Sequence, residues 1–117
     1  MGLPKANRLK QRRDFQQVYS KGLKCRGRHT ILRAYFTTPD NPTQIGISIG
    51  KKVSKKAVVR NRIKRQIRAA VRQYLPHLEP GWKIVVVVKS EAQTCEYEHF
   101  LRELKQLLTQ AEVWHGH

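Results

Sequence analysis

The chain has 117 residues, with 24 Lys or Arg against 8 Asp or Glu, a formal net charge of +16. That length fits one domain, residues 1–117, able to bury roughly two-thirds of its unfolded surface. Its apolar runs fall well short of the roughly 18 residues that span a bilayer, and Met1-Gly2-Leu3-Pro4-Lys5 lacks the apolar stretch of a signal peptide, so a cytoplasmic protein without membrane contact is expected. The charge is also lopsided: residues 1–72 hold 20 of the 24 basic residues and only Asp14 and Asp40, a net +18, while the remaining 45 residues carry a net −2. So strong a field on one half suits a polyanionic partner, and nucleic acid above all.

In chain order, Phe15, Val18 and Tyr19 recur at helical spacing in residues 12–21, and Gly22 stands where a left-handed C-cap would close a first helix. Residues 30–38 are rich in β-branched and aromatic types and end in the turn-forming Pro39-Asp40-Asn41-Pro42, which predicts a strand. Its alternation puts Ile31, Arg33 and Tyr35 on one face and Leu32, Ala34 and Phe36 on the other. Gln44-Ile45-Gly46-Ile47-Ser48-Ile49-Gly50 has a strict period of two, isoleucines on one side and a flat Gly, Ser, Gly face on the other.

A basic helix comes next in the chain. Between Lys51 and Arg72 there are ten Lys or Arg and no acid. At 100° per residue Val59, Ile63, Ile67, Ala70 and Tyr74 form an apolar face, and Asn61, Lys64, Arg65, Arg68 and Arg72 lie opposite. Lys51, Lys52, Lys55 and Lys56 gather at or before the helix N-terminus, where the macrodipole disfavours cations, and that placement makes sense if a phosphate docks there. Pro76 and Pro80-Gly81 end this segment. Trp82-Lys83-Ile84-Val85-Val86-Val87-Val88 reads as a strand covered on both faces. Thr94 is placed to cap a last helix whose buried stripe is Tyr97, Leu101, Leu104, Leu108 and Ala111. About six N-terminal residues and the tail Trp114-His115-Gly116-His117 are expected to be loose. The order α-β-β-α-β-α predicts an α+β two-layer sandwich with a small open sheet and helices mainly on one face.

Cys25 and Cys95 have no metal or disulfide spacing, so two reduced thiols are expected. The histidines at 29, 77, 99, 115 and 117 show no zinc pattern, and His115 with His117 would hold a metal only adventitiously. A two-metal nuclease needs converging carboxylates, and the basic half offers only two, which argues against a protein active site. Phe15, Tyr19, Arg33 and Tyr35, with Arg12 nearby, would offer unpaired bases a stacking groove, although aromatics at such spacing are more often core.

Arg60-Asn61-Arg62-Ile63-Lys64-Arg65 with Arg68, together with Asn7-Arg8-Leu9-Lys10, Asp14-Phe15-Gln16-Gln17-Val18-Tyr19 and Gly46-Ile47-Ser48-Ile49-Gly50-Lys51-Lys52, resembles the protein component of bacterial ribonuclease P over residues 7–74. The resemblance implies a mixed sheet of ribosomal-protein type with a left-handed βαβ crossover. It also implies a cofactor of a catalytic RNA that removes the 5′ leader of precursor tRNA, with Mg²⁺ held mainly by that RNA and no small-molecule cofactor. By position, Arg60, Asn61, Arg62, Lys64, Arg65 and Arg68 would face the catalytic RNA, and Phe15 and Tyr19 the leader. The chain departs from the family pattern at Arg33, where an aromatic is frequent, and at Val53-Ser54-Lys55-Lys56, where a glycine-containing turn is. A structural ribosomal protein is the main alternative, and a protein-only nuclease a further one.

Overall fold

Asp14 in the first turn and Lys21 in the last suit the macrodipole of helix α1 (Arg12–Lys21), whose Val18 is fully buried. The structure, a computed structural model, describes residues 3–114. Gly22 closes α1 in an extended conformation, φ −78° and ψ 156°, not the left-handed one expected. Glycine is needed there for space instead: a Cβ would lie 2.6 Å from the Val18 carbonyl oxygen and 2.9 Å from that of Ala34.

The segment after Gly22 corrects the expected order. Leu23–Arg26 is a strand, β1, joined through residues 27–29 to β2 (Thr30–Phe36) as an antiparallel hairpin. Next come β3 (Gln44–Ser48), α2 (Ala57–Tyr74), β4 (Trp82–Val88) and α3 (Tyr97–Gln110), so the chain runs α-β-β-β-α-β-α. The sheet order is β1-β2-β4-β3, with β4 antiparallel to β2 and parallel to β3. The small open mixed sheet and the α+β class are as expected, and α2 is the crossover between the parallel strands β3 and β4.

The all-apolar β4 is central and serves two cores, because successive side chains point to opposite faces. Ile84, Val86 and Val88 join Ile63 and Ile67 of α2 and Phe100, Leu104 and Leu108 of α3. Val85 points the other way, into a smaller cluster with Leu9 and Val18 against which Phe15, Tyr35 and Val87 pack. Helices α2 and α3 therefore cover one face of the sheet and α1 lies on the other.

Helix α3 is capped differently from expectation. Thr94 belongs to a 3-10 turn (Ser90–Thr94), and the N-cap is Glu96. The Glu96 backbone N–H donates to His99 Nδ1 at 2.9 Å, and the Glu96 side chain accepts from the backbone N–H of His99, a capping box. Phe100, Leu104, Leu107 and Leu108 are the buried stripe, whereas Tyr97 and Leu101 are only partly covered.

Both described ends are packed where loose ends are expected from sequence. Leu3 is buried beside a 3-10 turn (Lys5–Asn7). Trp114 bridges to Leu78, stacks on the His77 ring at 5.0 Å and meets Tyr74 edge-on. His115 and His117 lie outside the described residues. Cys25 and Cys95 are free and buried, and that burial pushes both thiols up, with Glu103 adding to the rise at Cys95 and Arg28 opposing it. Among the described residues, no helix is long and apolar enough to cross a membrane.

Candidate nucleic-acid interface

Helix α2 carries the basic surface, and its phase is the one read from the sequence. Ile63, Ile67, Ala70 and Tyr74 are buried, joined by Val71, while Val59 is half-covered. Asn61, Arg65 and Arg72 are exposed along the opposite stripe. The remaining basic side chains divide between the helix's two flanks. On one flank Arg62 Nη2 donates to the Gln93 carbonyl at 2.9 Å, tying α2 to the turn before α3. On the other, Lys64 and Arg68 turn toward the α1 face of the sheet. Arg60 Nη1 donates to the Ser54 carbonyl at 2.8 Å and so secures the approach to the helix. Two of the arginines expected to face RNA thus also hold the fold.

Ahead of α2, Lys51, Lys52, Lys55 and Lys56 are all exposed, while Val53 and Ser54 turn inward. The N-cap is Lys56, which has no side-chain cap; its own N–H donates to Ser54 Oγ at 3.1 Å. An α-helix leaves its first four N–H groups without intrahelical acceptors, so this end combines free donors, a positive dipole and four lysines.

Phe15 reaches across from α1 to β3. Its ring lies over Gly46, where a Cβ would come within 2.8 Å of Phe15 Cε1, so the flat glycine face of β3 is the seat of an aromatic ring. Phe15 and Gly46 share a cavity of about 390 Å³ with Lys64 and Arg68 of α2 and with Arg8 and Lys10 ahead of α1. One aromatic face and four cations therefore converge between three elements. Arg8 and Lys10 escaped the sequence reading as site residues; their place in the Asn7-Arg8-Leu9-Lys10 run, where Leu9 is a core residue, is the signal that could have found them.

Tyr19, one turn along, keeps different company. The residue is 37% exposed, and the Arg33 guanidinium sits 5.4 Å from its ring centroid. Arg33 Nη2 also donates to the Tyr19 carbonyl at 2.6 Å, fixing that stack. Arg33 Nε is buried without a partner. Tyr35 is half-buried in the small α1 cluster, so it is chiefly a packing residue. Arg12 is exposed at the start of α1.

Asp14 is one of two acids in the basic half, and it is engaged: Lys83 Nζ lies 3.0 Å from Asp14 Oδ1 and 2.9 Å from Gln17 Oε1, fastening α1 to β4. Among the described residues, no three His, Cys, Asp or Glu converge as metal ligands. The side chains present do not fit a Mg²⁺ pair, and no step here runs through a protein-held metal.

Comparison with known proteins agrees with the fold. The chain matches the Ribonuclease P family over residues 3–112. It is 59% identical to the ribonuclease P protein component of Picosynechococcus sp. and 54% identical to that of Microcystis aeruginosa, in each case over the whole of both chains. The structure of the Staphylococcus aureus RNase P protein superposes with a TM-score of 0.84 at 30% identity, covering 94% of this chain and 99% of that one. These matches favour a ribonuclease P subunit over the ribosomal protein that the sequence left open. The chain belongs to the ribonuclease P protein family, as the protein component of the ribonucleoprotein that matures the 5′ end of tRNA.

Proposed function

We propose that this chain acts in the cytoplasm as the RNA-binding subunit of a holoenzyme whose catalysis and Mg²⁺ reside in the RNA. Asn61, Arg65 and Arg72, with Arg60, Arg62, Lys64 and Arg68 on the flanks, meet the catalytic RNA. Lys51, Lys52, Lys55 and Lys56 take a phosphate at the α2 N-terminus. Phe15 and Tyr19, with Arg33 and Arg12, receive the single-stranded 5′ leader of precursor tRNA, while Tyr35 packs in the cluster beneath α1. The observation that carries this reading is the convergence of the Phe15 ring with Lys64 and Arg68 in one cavity, because a strand stacked on the ring would lie directly beside the helix that meets the catalytic RNA. Aromatic stacking next to cations is how single strands are held without sequence reading.

Purified protein with Mg²⁺ is expected to leave precursor tRNA intact, and addition of a bacterial ribonuclease P RNA to restore cleavage. Cleavage by rigorously RNA-free protein would overturn the assignment of catalysis. Replacing Tyr19 with Ala is expected to weaken holoenzyme binding to precursor tRNA by about 1–3 kcal/mol, the worth of one stacked base, with little change for tRNA lacking the leader. Equal weakening for both RNAs, or a large loss of thermal stability, would return Tyr19 to a packing role.

A further inference from the structure

The register of the sheet lays out more surface on the α1 face than α1 covers. One row across the four strands is Lys24, Arg33, Val85 and Gly46, and the next is Arg26, Ile31, Val87 and Ser48. Val85 is sealed under α1, with Phe15 over Gly46 and the Tyr19 ring against Arg33. In the second row Ile31, Val87 and Ser48 are only half-buried and Arg26 is exposed. That row is a shallow floor running beside the Phe15 and Tyr19 wall, about 14 Å long from three inter-strand spacings. It ends on the edge strand β1, where Lys24 and Arg26 point to the same side as Arg33, since their partners Arg33 and Ile31 lie on that face.

Neither Lys24 nor Arg26 has an acidic partner: the described ion pairs are Lys83 with Asp14 and His29 with Glu103. Two unneutralised cations at the end of an apolar floor match a strand whose bases lie flat and whose phosphates face outward. We infer that β1 forms a landing site for the far end of the 5′ leader, with Lys24 and Arg26 taking phosphates of nucleotides that have already crossed the sheet. The inference rests on the reading that the Phe15 and Tyr19 cleft receives the leader, and it adds a direction: from α2, past Phe15, across Val87 and Ile31, to β1. Basic residues on an edge strand also serve in many proteins to block edge-to-edge pairing, which is the competing account.

The test is the affinity of the reconstituted holoenzyme for precursor tRNAs whose leaders are lengthened one nucleotide at a time, for the wild type and for the Lys24→Ala, Arg26→Ala double variant. The wild type is expected to gain affinity in two stages, the first as the leader reaches Phe15 and Tyr19 and the second as it reaches β1. The double variant is expected to lose the second stage and to lower the salt slope for long leaders by about 2, roughly one per phosphate contact. A wild type with only the first stage, or a double variant that keeps both and self-associates in sedimentation instead, overturns the β1 site while leaving the cleft intact. A wild type with no leader dependence at all overturns the cleft reading itself.

Discussion

Replacing Glu103 with Ala is expected to lower stability by about 3–5 kcal/mol, the usual cost of removing one side of a buried charged network. Glu103 projects from α3 and is 8% exposed. Its Oε1 accepts the Arg28 N–H at 3.0 Å and faces His29 Nδ1 at 3.1 Å; its Oε2 accepts the His29 N–H at 3.1 Å and the Thr30 hydroxyl at 2.5 Å. Even the absence of a side chain at Gly27 belongs to this site, since a Cβ there would lie 2.6 Å from the carboxylate. Without Glu103, the buried Thr30 hydroxyl loses its acceptor, at about 1–3 kcal/mol for a group left unsatisfied, and the partly buried Arg28 and His29 donors lose theirs as well. Glu103→Gln keeps the shape but halves the acceptors, so an intermediate loss is expected. Urea denaturation of the three proteins checks this, and a loss under about 1 kcal/mol for the alanine variant would mean that the turn holds itself.

On α2, two residues two positions apart are expected to behave oppositely. Ile63 is fully buried between the sheet and α3, so Ile63→Ala should cost about 2–5 kcal/mol of stability. Arg65 is exposed and has no partner among the described residues, so Arg65→Ala should leave the melting curve in place. Its effect should appear in RNA binding instead, as about 1–3 kcal/mol if the contact is bidentate and as a salt slope reduced by about 1. Thermal melts and a salt titration of catalytic-RNA binding separate the two. The reverse pattern would show that the helix presents a different face.

The elements that were legible in the sequence are those whose pattern is long and one-sided. Residues 12–21 and 82–88 are bounded as read, and the buried set of α2 follows from its 100° phase because its six cations leave few choices for the inner face. Strand β1 was missed because four residues with two charges, LKCR, carry little apolar signal. Its alternation between Gly22 and Gly27, followed by a hairpin-length connection, is nevertheless a strand pattern. The Glu103 network was beyond reach, since it joins residues more than 70 positions apart, and so was the Arg33 stack on Tyr19, which depends on how α1 crosses the sheet. In α3 the stripe was drawn through Tyr97 and Leu101, while the capping box of Glu96 and His99 sets the start of the helix and Phe100 and Leu107 fill the core. For the site, the sequence offers the aromatic and basic residues as types, but their grouping into one cavity with Phe15 and a separate stack at Tyr19 is a product of topology alone.

The sheet order has a consequence for synthesis. Strands β2 and β3 do not pair with each other; each pairs with β4, which is the last strand in the sequence. A nascent chain that has not yet reached Trp82 therefore has only the β1–β2 hairpin and the isolated helices α1 and α2 to form, and α1, with 10 residues, is marginal on its own. At that stage it already carries the +18 of residues 1–72. The polycation emerges from the ribosome before the strand that can organise it, next to the largest store of RNA in the cell. Its native surface comes into being only when the valine run of β4 slots between two strands made long before, a pairing of distant segments that sets a slow step in folding.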